Sequence, residues 1–182
     1  MGFKQHYQLM AGYNQRMNNQ VYAAAAKLDE SILTKDSGAF FGSILGTLNH
    51  IMVADLVWLG RYRSLSDRYQ SLQELSQFST PKALSEILHT DFNALSEKRR
   101  QLDALIIRWL TDEVAEEDYA LNLHYSSMTG GKSVRNFGEL LAHFFNHQTH
   151  HRGQASTLLS QAGKDIGITD FAIDIPNLAA SD

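Results

Sequence analysis

The chain contains no cysteine, which excludes disulfides, thiolate metal ligands and a cysteine nucleophile together. Any metal site must then be assembled from His, Asp and Glu. Proline is scarce too: Pro81 and Pro176 are the only two in 182 residues, leaving long stretches rich in Ala, Leu and Gln free to be helical. No segment approaches the roughly 20 consecutive apolar residues that span a bilayer, so no membrane partner is expected. Residues Met1–Gln20 lack the apolar centre of a secretory signal, and His6 stands where a myristoylation signal needs Ser or Thr. A cytoplasmic location is the expectation. Lys and Arg are scattered and the net charge is −4, which argues against nucleic acid as a partner because phosphate neutralisation needs clustered cations.

What is present is ordinary for a globular protein: 43% hydrophobic and 20% charged residues. The length suits one domain over residues 1–182, with a core of about 3–163 and a tail of 164–182 lying along the surface. Met10, Tyr13, Met17, Val21, Ala24 and Leu28 recur at spacings of three and four, predicting a first helix from about Phe3 to Leu28. From about Gly42 to Tyr62 the chain is apolar around most of a helical circumference, as a central, buried helix would be. Residues 64–80 read as a connection. Thr80-Pro81 has the form of an N-cap followed by a first-turn proline, and Leu84, Leu88, Leu95, Leu102, Leu105 and Trp109 carry a third helix to about Thr111. Alternation over Tyr119–Tyr125 before Gly130-Gly131 predicts a short hairpin or extended excursion. Asn136 with Glu139 resembles a capping box, and a fourth long helix runs from Phe137 to Ala162 and closes at Gly163. Four long helices with modest connections predict an all-α four-helix bundle.

The chemistry gathers in His143-Phe-Phe-Asn-His147-Gln-Thr-His150-His151-Arg-Gly-Gln154. Setting His143 at zero on a helical wheel, the apolar stripe of this helix centres at roughly 110°. His151 falls at about 80° and His147 at about 40°, whereas His150 falls at about −20°. His151 therefore faces the core, His147 lies at its edge, His143 is marginal and His150 points outward. Imidazoles at i and i+4 stand one turn apart and can grip one ion, a spacing used in helical zinc sites. A third ligand has to come from another helix. His50 is the only other histidine in a segment that reads as buried, and its face carries the small residues Gly46, Thr47, Ala54 and Val57. The wheel leaves open whether that face meets the fourth helix, and a set of hydrogen-bonded core histidines is the competing reading. His6, His89 and His124 read as surface residues. Asp55, among bulky apolar neighbours, needs a partner: Arg152, or the second nitrogen of a ligand imidazole. Gln148 lies on the inner side of the fourth helix, suited to orienting a water or to an interhelical hydrogen bond. Trp58, Trp109 and the tyrosines read as core or dimer interface.

The segments Gly38 to Leu59, containing His50, Asp55 and Trp58, and Phe144 to Gln154, together with Tyr13-Asn14, resemble the DinB-like family over about residues 7–172. That resemblance implies a helical bundle in which His50, His147 and His151 hold one divalent metal, zinc or nickel, with water completing the shell. It also implies homodimers. Relatives include metal-dependent thiol transferases acting on electrophiles, and others suspected of hydrolysis, so the expected partner is a small-molecule substrate. Asp55, His150, Gln148 and His143 are expected to support the ligands. Three neutral nitrogen ligands leave an open position, as catalytic sites do, and such a metal activates water or a thiol near pH 7. A non-catalytic metal-binding bundle serving in stress response is the alternative.

Overall fold

A computed structural model of the protein describes residues 2–180; Met1, Ser181 and Asp182, which the expected domain and tail include, lie outside the described residues. Four long helices form the frame: α1 (Phe3–Ala25), α3 (Ile44–Tyr62), α4 (Phe92–Arg108) and α5 (Phe137–Gln161), with a short α2 (Glu30–Thr34) after the first. α3 lies against α5 and α4, and α1 completes the ring by lying against the same two. The architecture is the expected all-α bundle with a hairpin before the last helix. That hairpin pairs β1 (Asn122–Ser126) antiparallel with β2 (Lys132–Asn136), so the alternation over Tyr119–Tyr125 signalled a real element.

Side-chain caps set the helix starts. Ser43 Oγ accepts the Gly46 N–H at 3.0 Å, Asp91 Oδ1 accepts that of Ala94 at 2.7 Å, and Asn136 Oδ1 accepts that of Glu139 at 3.0 Å. α3 is apolar on nearly every side, and every residue from Ile44 to Leu56 is buried. α5 ends at Gly163, whose φ of +73° lets Lys164 N–H reach back to the Leu159 carbonyl at 2.9 Å. α4 runs into one wider turn, Trp109–Glu113, that keeps Trp109 and Leu110 in the core.

One boundary differs from expectation. The third long helix starts at Asp91, and the Thr80-Pro81 cap is not used. Residues 80–90 are instead an irregular crossing tied down by α3: Asn49 brackets the backbone of His89, donating to its carbonyl and accepting its N–H, both at 3.0 Å. Leu84, expected on the buried stripe of that helix, is 50% exposed. The tail follows α1, with Arg16 paired to Asp174 at 2.6 Å and Tyr13 Oη donating to the Thr169 carbonyl at 3.1 Å. Among the described residues no helix is long and apolar enough to cross a membrane.

Candidate metal centre

α3 contributes His50, and α5 contributes His147 and His151 one turn apart. The structure brings the three together, with one ring nitrogen from each lying within 4.8 Å of the others. His50 Nε2 and His147 Nε2 stand 3.2 Å apart. The ring centroids of His151 lie 4.4 Å from His50 and 4.3 Å from His147. The face of α3 bearing His50 does meet α5, which the helical wheel had left open.

The outer nitrogens fix the tautomers. His50 Nδ1–H donates to the Leu84 carbonyl at 2.8 Å, and His151 Nδ1–H donates to Gln154 Oε1 at 2.8 Å. Each ring so held presents an unprotonated Nε2 to the interior, where a cation would sit. Two nitrogens each about 2.0–2.1 Å from one tetrahedral ion stand about 3.3 Å from each other, so the His50–His147 spacing and the all-nitrogen donor set fit a divalent metal of the zinc kind.

The surroundings keep the rings neutral. Burial, reinforced by the neighbouring His151 and His50, pushes His147 down to about 3. Burial also lowers His50 and His151, partly countered by the hydrogen bonds to Leu84 and Gln154. Neutral imidazole is the form that ligates.

A loop closes one side. Gly42, at φ +74°, turns the chain so that Phe41 stacks on the His50 ring at 3.7 Å and 16°. Gly46 permits the approach, because a Cβ there would strike the Phe41 carbonyl oxygen. A recess of about 630 Å³ lies elsewhere, between the end of α5 and the tail near Ser160, Lys164 and Thr169, and no histidine lines it.

The DinB family model matches residues 1–177. The chain belongs to the DinB family. It is 27% identical to Protein DinB of Bacillus subtilis over 163 residues, which cover 88% of each chain. The crystal structure of a DinB-like protein from Bacillus cereus has the same fold, with a TM-score of 0.59, 19% identity, and coverage of 91% of this chain and 94% of that one.

In this DinB family member the residues expected to support the ligands take different places. Asp55 does not reach a histidine, and its partner is Arg99 at 2.5 Å rather than Arg152. Arg99 comes from α4, whose face toward α3 a wheel of α5 does not reveal. Arg152 instead donates to Asn14, to Asn18 Oδ1 at 3.3 Å and to Gln148 Oε1 at 3.4 Å. Gln148 is thereby engaged with the helix core rather than with a ligand, and its Nε2 has no partner among the described residues. His150 is exposed and lies 3.3 Å from Gln154 Nε2, so Gln154 bridges it to His151. His143 stands outside the cluster, its ring 5.9 Å from His147 and 5.3 Å from Trp58. Three contributors were missed by sequence reading. Gln154 carried a signal, being three residues after His151 on one helix, whereas the Leu84 carbonyl and Phe41 belong to irregular segments with no periodicity to read.

Proposed function

We propose that this DinB family protein binds one divalent metal through His50, His147 and His151 and uses it in an enzymatic reaction on a small electrophilic molecule, by thiol transfer or by hydrolysis. The observation that carries the reading is the convergence of three neutral imidazoles from two helices, two of them locked by a hydrogen bond at the outer nitrogen. Such an ion, when bound, supplies a Lewis acid that lowers the pKa of a coordinated water or thiol toward 7. The chain's own groups do the positioning. Leu84 and Gln154 aim two rings, Phe41 shields the His50 ring from water, and burial holds His147 unprotonated. Three protein ligands leave a coordination position for the reacting molecule.

The hydrogen bonds made by the three rings among the described residues favour a second reading in one respect: no carboxylate takes part in them. A metal-binding bundle without catalysis has that property. Elemental analysis of the purified protein beside His50→Ala and His147→Ala tests the site itself, with about one metal per chain expected in the first and none in the variants. Retention of metal by either variant removes that residue from the site. Turnover of thiol–electrophile pairs or esters by the loaded protein then separates the two readings, and inertness toward both leaves the non-catalytic one.

A further inference from the structure

Along the seam between α3 and α5, beyond the three histidines, a recess of about 330 Å³ is lined by Trp58, Tyr125, Arg135, Glu139, Leu140 and His143. Its volume is at the small end of the range for small-molecule sites. His143, on the wall of the recess, is the lining residue next to the three histidines, its ring 5.9 Å from that of His147 and 5.3 Å from that of Trp58. Tyr125 reaches it from the hairpin, its ring 5.3 Å from that of Trp58 and inclined at 63°, so the two aromatics form a corner. The guanidinium of Arg61 backs that corner, 4.5 Å from the Trp58 ring and 4.8 Å from the Tyr125 ring, and donates to the Ser126 carbonyl at 3.2 Å.

Two charged side chains line the recess, Arg135 and Glu139, and they do not form an ion pair with each other. Among the described residues neither Arg61 nor Arg135 has a carboxylate within 4 Å, although seven other ion pairs form. Glu139 is the single acid on the wall, and the first turn of α5, to which Glu139 and Leu140 belong, adds the positive end of a 25-residue helix. An aromatic corner beside Leu140, with the unpaired guanidinium of Arg135 on the wall, suits a flat apolar group that ends in an anion.

We infer that this recess is the substrate subsite of the metal centre and takes a small molecule with an aromatic or planar apolar body and a carboxylate, holding its other end toward His147. The subsite's role as a substrate site rests on the metal reading above. Its ligand chemistry stands on the recess alone.

The test uses the full chain loaded with zinc or with cobalt, titrated with 4-fluorophenylacetate, its amide and 4-fluorophenethylammonium, and read by fluorine NMR. The carboxylate is expected to bind saturably and about fivefold to tenfold more tightly than the amide, with the ammonium weakest. Arg135→Gln, a change at an exposed side chain, is expected to erase the preference for the carboxylate, while Glu139→Gln raises its affinity about twofold. In the cobalt form the bound fluorine signal broadens far beyond its width in the zinc form, because the recess adjoins the metal. No saturable shift, equal affinity for acid and amide, or equal line widths with the two metals overturns the proposal. Cobalt content of the same samples keeps the two readings apart. Failure to bind in a protein that holds one cobalt overturns the recess alone, whereas saturable binding in a protein that holds none overturns the metal centre alone.

Discussion

Two polar clusters share the helices α3 and α5, and they are built on opposite plans. One joins Asp55 of α3, Arg99 and Asp103 of α4, Asn14 and Asn18 of α1, and Arg152 of α5. Its members are complementary: Arg99 reaches Asp55 at 2.5 Å and Asp103 at 2.8 Å, and Asn18 donates to Asp103 at 2.9 Å. The other joins three imidazoles: His50 and His151 turn acceptor Nε2 atoms inward, and His147 Nε2 stands 3.2 Å from that of His50. Cations and anions in equal number satisfy themselves and hold the helices in place. A group of like acceptors is satisfied only by a shared proton or a cation from outside. The first cluster is therefore read as structure and the second as a site.

The largest effect that tests this contrast is expected from Arg99→Ala. It strands two carboxylates in a core position where both Asp55 and Asp103 are almost fully buried, and loss of one partner from a buried pair costs about 3–5 kcal/mol. Urea unfolding should show that loss, while metal content of the folded fraction stays at the wild-type level. A loss below about 1 kcal/mol would mean that the network is hydrated and does not hold the bundle.

Gly46→Ala should act the other way round, on the site more than on the frame. The added methyl meets the Phe41 carbonyl, so the loop must lift and take its ring off His50. Metal affinity is expected to fall about 10–100-fold, as for other losses of outer support, with a stability cost of about 1–3 kcal/mol. Competition with a chromogenic chelator measures the first. Unchanged affinity would show that Phe41 does not orient the ring.

Gln154→Ala is a smaller version of the same experiment. It removes the acceptor of His151 Nδ1–H without touching a ligand, and about a tenfold loss of metal affinity is expected, with Gln154→Glu retaining affinity because a carboxylate accepts the same hydrogen bond. Equal losses in the two variants would assign Gln154 a packing role only.

The two clusters also differ in how legible they were. His147 and His151 announced themselves by spacing and wheel angle, and their helix was bounded within about one residue by Asn136 and Gly163. Helical periodicity reports one element at a time, so it located each ring but not its partners on other elements. Asp55 was recognised as a buried acid in need of a cation, yet Arg99 could not be chosen over Arg152 without knowing which face of α4 turns toward α3. The same limit misplaced the start of α4: Thr80-Pro81 and Asp91 are both good caps, and the choice is made by Asn49, which holds His89 from 40 positions earlier. The irregular crossing that results is what supplies the Leu84 carbonyl to His50, so the missed boundary and the missed ligand support are one event.

The smallest predicted effect is in pH, where the clusters should pull in opposite directions. Burial pushes Asp55 up to about 7 against the pull of Arg99, and it raises Asp103 as well. Those carboxylates take up protons in the folded chain before they do in the unfolded one, so they add stability as the pH falls from about 7 toward the ordinary carboxylate range. The histidines do the reverse. Unfolded imidazole gains its proton near 6.5, whereas folded His147 resists down to about 3, so the metal-free protein loses stability as the pH drops below 6.5. Metal-free wild type and His147→Gln, melted in chelator at pH 7.5 and 5.5, isolate the second contribution because both retain the first. Wild type should lose roughly 2–4 °C more than the variant between the two conditions. Parallel melting curves would mean that His147 protonates as freely folded as unfolded, and a ring that free is not held ready for a cation.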